Sequence, residues 1–216
     1  MSHLWPQLWP WLALFGLGAY HGINPGMGWL FAVSLGLQER RRAAVLAAIP
    51  PIALGHALSI GIIAGLLLLA HASLPEKGLR YGAAAILFGF GLYRLLRSRH
   101  PRWVGMRVGF GDLTLWSFLM ASAHGAGLML LPVLLDWPSS SHMGHMEHTG
   151  LAAVGGPLQV LAAIVVHTAG HLSVTLIIAL IVYEKVGVAI LRRAWFNLDL
   201  VWTLALMVSG ALILLI

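Results

Sequence analysis

Residues 46–70 read LAAIPPIALGHALSIGIIAGLLLLA, a run of 25 residues that contains no charged side chain. An α-helix of about 20 apolar residues crosses the hydrocarbon core of a bilayer, so this stretch predicts a membrane-spanning helix. His56 lies near the middle of the run. An ionisable ring at that depth is costly and needs partners, and it therefore indicates a functional site.

Five further stretches of the chain resemble this one. The sequence is 59% hydrophobic and only 9% charged, whereas soluble domains carry about 25% charged residues. We therefore predict an all-α integral membrane protein, a single membrane domain over residues 1–216 with the lipid bilayer as a partner. It is expected to be a multi-pass protein of a cell membrane, the bacterial inner membrane. The six predicted spans are 11–35, 46–70, 79–97, 113–135, 157–182 and 198–216.

The basic residues lie almost entirely in alternate loops. Loops 1–2, 3–4 and 5–6 hold eleven of the 13 lysines and arginines. By the positive-inside rule these loops are cytoplasmic and both termini lie outside. Topology thus explains the net charge of +6, and we expect no nucleic-acid partner. The eleven residues are Arg40, Arg41, Arg42, Arg94, Arg97, Arg99, Arg102, Arg107, Lys185, Arg192 and Arg193.

The two halves of the chain echo each other. Ala19-Tyr20-His21-Gly22 in span 1 resembles Ser122-Ala123-His124-Gly125 in span 4. Gly55-His56 in span 2 likewise resembles Gly170-His171 in span 5. Because each unit has three spans, the second unit enters the membrane from the opposite side. The result is two inverted repeats, with a substrate site expected at their interface. Repeat 1 covers about 11–97, a cytoplasmic linker covers 98–112, and repeat 2 covers about 113–216.

Span 1 is interrupted by the sequence Gly22-Ile23-Asn24-Pro25-Gly26-Met27-Gly28. Proline removes a helical hydrogen bond and clashes with the preceding turn, and glycine weakens the helix further. Non-helical backbone at membrane depth is tolerated only where it is buried in protein or lines a cavity. The sequence therefore predicts a broken helix beside a binding site.

Five histidines fall at similar depth in four spans, and His167 and His171 share one helical face because they are four residues apart. Imidazole is the commonest ligand for transition metals. No aspartate or glutamate lies deep in a span, which argues against hard cations. We expect a copper, nickel, cobalt or zinc ion, with copper first. The predicted ligands are His21, His56, His124, His167 and His171, with Asn24 and Met27 beside them; Ser59, Ser122, Thr168 and Ser173 are predicted outer partners.

The predicted extracytoplasmic loop 136–156 contains the sequence HMGHMEH at residues 142–148. A solvated polar loop is one interpretation of this composition. The other is an auxiliary metal site that captures or releases the ion, because thioether and imidazole together suit copper. Its ligands would be His142, Met143, His145, Met146 and His148.

A family resemblance rests on the first two spans. The stretch Ala19–Met27 resembles the first-span motif of nickel/cobalt transporters of the NicO type, HG-hydrophobic-acid-PGH, and Gly55-His56-Ala57 is similar to that family's second-span histidine. The wider resemblance is to the LysE transporter superfamily, built from two inverted three-helix units. It implies metal-contacting roles for His21 and His56. The family's acid is Asn24 here and its second histidine is Met27, and both changes favour copper.

The leading hypothesis is a transporter, not an enzyme, that passes a transition-metal ion through a midplane histidine site. Imidazole must be neutral to bind metal, so protonation competes with the ion. Three alternatives stay open. The first alternative is a haem protein, the second is a histidine-ligated membrane oxidoreductase such as a hydroxylase or desaturase, and the third is a LysE-like exporter of a small organic solute.

Overall fold

The computed structural model describes residues 5–73, 75–96, 108–135 and 157–186, together with eight positions between 203 and 213. Within these residues every regular element is helical. The elements are α1 (Trp5–Ile23), a 3₁₀ turn (Pro25–Met27), α2 (Trp29–Glu39), α3 (Arg42–Ala47), α4 (Ile49–Ser73), α5 (Glu76–Leu96), α6 (Phe110–Ala123), a second 3₁₀ turn (Leu128–Leu130), α7 (Leu131–Leu135), α8 (Pro157–Ile181) and a π-helical turn (Val182–Val186).

Two helical stretches of the described chain are long and apolar enough to cross a membrane, Arg42–Ala70 and Pro157–Lys185. A third crossing results if Phe110–Ala123 and Leu128–Leu135, which meet at 51°, count as one bent span. The prediction of an all-helical protein is therefore confirmed for the described residues, together with two or three helices that are long and apolar enough to cross a membrane. The number of six spans and their orientation stay predictions.

The outward face of α4 is apolar along its length. Its inward face carries His56, Ser59 and Ile60, which are almost fully buried. A soluble protein would place charged side chains on the opposite face, and a continuous exposed apolar surface of this kind suits lipid. The exposed residues of this face are Leu54, Leu58, Ile62, Leu66 and Leu69.

The predicted break in span 1 is present between α1 and α2. The side-chain oxygen of Asn24 accepts a hydrogen bond from the Gly26 amide at 2.9 Å and so caps the 3₁₀ turn. Gly28 has a φ of 130°, a conformation that glycine adopts without steric cost. The Trp29 indole bridges the break by donating to the Ile23 carbonyl at 2.9 Å. The turn is thus held from both of its ends.

A second break, which the sequence analysis did not predict, ends α6 at His124. The His124 amide donates to the Met120 carbonyl at 2.9 Å, and the Nδ1 atom of its ring lies 2.8 Å from the same oxygen. Gly125 follows with a φ of 69°. The chain then turns into the second 3₁₀ turn and α7. Within the described residues, an interrupted helix is therefore present in each half of the chain.

The long helices pack in two pairs, α1 with α8 and α4 with α6. Glycines set both contacts: a Cβ atom on Gly170 of α8 would overlap the Phe15 carbonyl of α1, and one on Gly55 of α4 would overlap the Thr114 carbonyl of α6. Small residues let helix backbones approach this closely in membranes. Each pair is therefore packed backbone to backbone.

Two apolar clusters lie along these helices. The first includes Leu14, Ile60 and Ala163, and the second includes Trp29, Ile52 and Ala179. α4 and α8 pass from one cluster to the other, and their buried histidines fall in the interval between the clusters, whereas α1 packs in the first cluster and α2 in the second. The histidines therefore lie between two apolar layers.

Candidate functional site

Four of the five predicted histidines gather where α1, α4 and α8 meet. The rings of His56 and His171 are stacked, with centroids 4.0 Å apart and planes within 5° of parallel. The His21 ring lies edge-on to His56 and to His167, with both centroids at 5.4 Å, and 6.5 Å from His171. His56 and His167 are 5.5 Å apart and also stacked. All four side chains are fully buried. We refer to them as the histidine cluster.

The glycines of α1 bring the histidine cluster together. A Cβ atom on Gly18 would overlap the His167 carbonyl oxygen, and one on Gly22 would lie 2.5 Å from the His171 carbonyl oxygen. His167 and His171 are one helical turn apart, as are Gly18 and Gly22. The two helices are therefore in contact along the stretch that carries three of the four rings.

Several ring nitrogens in the cluster are buried without a hydrogen-bond partner in the described part of the chain. The Nδ1 atom of His167 lies 3.2 Å from the Leu14 carbonyl oxygen. Its Nε2 atom and both ring nitrogens of His56 have no such partner. A buried polar group left unsatisfied costs about 1–3 kcal/mol. These nitrogens are thus desolvated and available to a ligand.

The ring planes do not yet converge on a single point. The lone pair of an imidazole nitrogen lies in the plane of its ring, so the parallel rings of His56 and His171 cannot both aim at an ion between them. Across the described residues, no group of three or more histidine, aspartate or glutamate side chains is arranged to hold a metal ion. Joint coordination of an ion by these rings therefore requires at least one of them to rotate.

The fifth predicted histidine, His124, is fully buried at the end of α6. Its ring is tied to the Met120 carbonyl, and it interacts electrostatically with His21. It lies near the histidine cluster, and α6 brings it there from outside the three helices that form the cluster.

Asn24 and Met27 are also buried, at 7% and 1% exposure. The Asn24 side-chain oxygen is engaged in the cap, while its Nδ2 atom has no partner among the described residues. The structure therefore places both residues in the broken segment that follows His21. Whether either contacts an ion stays a prediction.

The predicted outer partners fall into two groups. Ser59 and Ser122 are hydrogen-bonded to each other at 2.9 Å and so join α4 to α6. Ser173 donates to the Ala169 carbonyl of its own helix, whereas the Thr168 hydroxyl is buried without a partner in the described chain. The auxiliary loop residues 142–148 lie outside the described residues.

A buried polar residue on the same face of α8 as His167 and His171 was not identified from the sequence. Thr175 is fully buried on α8, and its hydroxyl has no partner among the described residues. It follows His171 by four residues, so His167, His171 and Thr175 form a row on one helical face. The spacing HxxxHxxxT in an apolar span is the signal that could have revealed it. No carboxylate is among the buried polar side chains of the described chain.

Comparison of the chain with models of protein families, with curated protein sequences and with solved structures gives no match.

Proposed function

We propose that this protein transports a transition-metal ion across a membrane and that the histidine cluster is its binding site. The observation that carries the proposal is the packing of four fully buried imidazole rings from three helices, with ring centroids 4.0–6.5 Å apart. Such a cluster is costly to bury without a ligand, because its unpartnered nitrogens have lost their hydration. A bound ion would replace the hydration that these ring nitrogens lose on burial.

The chemistry of the cluster supports a borderline or soft ion. Neutral imidazole suits copper, nickel, cobalt and zinc, whereas magnesium and calcium prefer carboxylate oxygen. The absence of a carboxylate among the described buried side chains favours the first group. We place copper first, because Met27 lies next to the site in the broken helix and thioether sulfur suits copper.

Transport also needs access from either side in turn. Both apolar clusters cover the histidine cluster, so the structure corresponds to a closed state in this proposal. Each of the two interrupted helices offers a point where one half of a span can move without the other. We propose that the chain has six spans in two inverted repeats, and that opening one apolar cluster at a time exposes the ion.

The orientation we propose places Arg40–Arg42 in the cytoplasm. Arg42 pairs with Glu184 at 3.4 Å, which joins the start of α3 to the π-helical turn after α8. Two of the three basic loops expected in the cytoplasm therefore lie at the same end of the protein. This contact supports a common side for loops 1–2 and 5–6.

Metal analysis of the detergent-purified protein tests the proposal directly. We expect the wild type, loaded with copper, nickel, cobalt or zinc and then desalted, to retain one of these ions near one equivalent. His56→Ala and the milder His56→Asn should lose most of it. Leu58→Ala serves as the matched control, because Leu58 is exposed on the lipid-facing side of the same helix.

Proteoliposomes that enclose a metal-sensitive dye give the second readout. Ion flux should require His56 and should be unchanged in the Leu58→Ala protein. A folded wild-type protein that retains none of the four ions and supports no flux would overturn the proposal. Retention and flux that survive in the folded His56→Asn protein would remove the histidine cluster as the site.

A further inference from the structure

The two helix pairs are built alike, down to the atoms in contact. A Cβ atom on Gly170 would meet the Phe15 carbonyl oxygen and the Ala19 amide nitrogen of α1. One on Gly55 would meet the Thr114 carbonyl oxygen and the Phe118 amide nitrogen of α6. Phe15 therefore corresponds to Thr114, and Ala19 corresponds to Phe118. The same register relates α1 to α6 and α8 to α4.

The next contact along each pair keeps this register. Gly18 of α1 abuts the His167 carbonyl oxygen. At the corresponding place, the Ser117 hydroxyl of α6 donates to the Ile52 carbonyl oxygen of α4 at 2.7 Å. His167 thus corresponds to Ile52, and one turn further on His171 corresponds to His56.

Continued by three residues, the register pairs His21 of α1 with Met120 of α6. The repeated His-Gly motif in the sequence instead aligns His21 with His124, which lies about one helical turn beyond Met120. Contacts between backbones decide the register here, and they favour Met120. The side chain that mirrors the first histidine of the cluster is therefore a thioether.

The surroundings of Met120 agree with a place at the site. Its side chain is 2% exposed, and its terminal carbon would lie 2.9 Å from a Cβ atom on Gly26. It therefore reaches the 3₁₀ turn that follows His21. One turn earlier on α6, the Trp116 indole donates to the Gly26 carbonyl at 3.1 Å and holds that turn against α6.

We propose that Met120 is a thioether ligand of the transported ion and makes the site selective for monovalent copper. The proposal rests on the transport function proposed above. Sulfur of this kind binds Cu(I) well and divalent nickel or zinc poorly. Charge adds to the preference: the described site has no carboxylate, and the Born cost of burying an ion rises about fourfold when its charge doubles.

The test compares metal affinities of purified, reduced protein under anaerobic conditions. Cu(I) affinity is measured by competition with a chromophoric chelator, and Ni(II) and Zn(II) affinities by titration. Met120→Leu should weaken Cu(I) binding by about tenfold or more and leave the divalent ions within about twofold. Met129→Leu is the matched control, because Met129 has the same 2% exposure but packs in the first apolar cluster.

Met120→His gives the reciprocal result. It replaces the sulfur with a further nitrogen ligand, and it should raise the affinity for Ni(II) or Zn(II) relative to Cu(I). X-ray absorption of the Cu(I)-loaded protein that carries Met27→Leu together with Met143→Leu and Met146→Leu should still show a sulfur neighbour of copper, and Met120 is the expected source of that sulfur.

The outcomes separate the two proposals. A wild-type protein that binds none of the ions overturns the transport function. If the wild-type protein binds Cu(I), but the Met120→Leu and Met129→Leu proteins bind it with equal affinity, only the role of Met120 is overturned. If Met120→Leu does not fold, a copper site without sulfur in the triple variant overturns that role by itself.

Discussion

At the scale of single residues, Gly18 sets how closely α1 and α8 approach. The atom that a side chain would meet is the His167 carbonyl oxygen, which belongs to a helix backbone and cannot swing aside. Two turns of α1 therefore lie against the stretch of α8 that carries the histidine cluster. A methyl group at this position would act on the site through the spacing of the helices.

Gly18→Ala is accordingly expected to destabilise the protein, although alanine is the better helix former. Forcing an extra methyl into a packed interior costs roughly 1–3 kcal/mol. The measurement is the thermal unfolding of the purified protein with and without metal. Gly16→Ala is the control, since no atom outside its own helix backbone lies within 4 Å of the added carbon. Equal melting temperatures for the two variants would contradict the account.

The residue scale also shows what the sequence could and could not predict about the site. The depth of an imidazole in an apolar run is a local property, so it identified all four members of the histidine cluster. The role of Met120 is a relation between helices. A buried methionine looks like ordinary core in sequence, and only the backbone contacts of Gly55 and Ser117 reveal that it mirrors His21.

At the scale of elements, the two interrupted helices differ in how well the sequence predicts their breaks. One proline and three glycines predict the break after α1. The break after α6 contains no proline before Pro132, and it depends on His124, whose ring and amide both turn back to the Met120 carbonyl. Gly125 follows with a φ of 69°, but glycine is common in membrane helices, so the letters His124-Gly125 do not by themselves predict a break.

The capped turn after α1 allows a charge to be added without loss of the cap. Asn24→Asp should keep the hydrogen bond from Gly26, because aspartate caps as well as asparagine does. The new carboxylate beside the histidine cluster should favour divalent ions, and we expect the ratio of Ni(II) to Cu(I) affinity to rise by about tenfold. Both affinities are measured on the purified protein.

Asn24→Ala separates charge from capping. It removes the cap, which costs about 1 kcal/mol, but it adds no charge, so unfolding should shift while the ratio of affinities stays near the wild-type value. The same ratio in Asn24→Asp and Asn24→Ala would show that charge at this position does not reach the ion.

At the scale of the whole molecule, the two helix pairs would be the moving parts of the proposed transport cycle. Within each pair the backbones are in direct contact through glycine, whereas α4 and α8 meet through the side chains of the histidine cluster. Composition and hydropathy predicted the helices and the spans 46–70 and 157–182. They could not predict this pairing, because nothing in the sequence shows which helix Gly55 and Gly170 each contact.

Cysteine pairs test this division, and the chain has no cysteine of its own. Ser59→Cys with Ser122→Cys joins α4 to α6 within one pair, where the hydroxyls are 2.9 Å apart, and a disulfide there should preserve ion flux. Phe31→Cys with Trp116→Cys, whose native rings have centroids 5.1 Å apart, joins α6 to α2, which packs against α8 and continues the interrupted span of α1. A short linker between the two thiols should therefore tie the two pairs together and stop flux, relative to the same protein without the linker. Flux into proteoliposomes is measured before and after reduction. Flux that persists through the second link would show that the pairs do not move apart.

If the unpartnered ring nitrogens of the histidine cluster bind the proposed ion, that binding would also affect how long the protein survives in a cell. A ligand that binds only the folded state lowers the population of unfolded chains by the factor 1 + [L]/Kd. Proteases act on chains that open, so the empty protein is degraded ahead of the loaded one. The amount of protein in the cell would then follow the supply of the ion through turnover alone, with no dedicated sensor or repressor. When the ion is scarce, more of the protein would be empty and degraded.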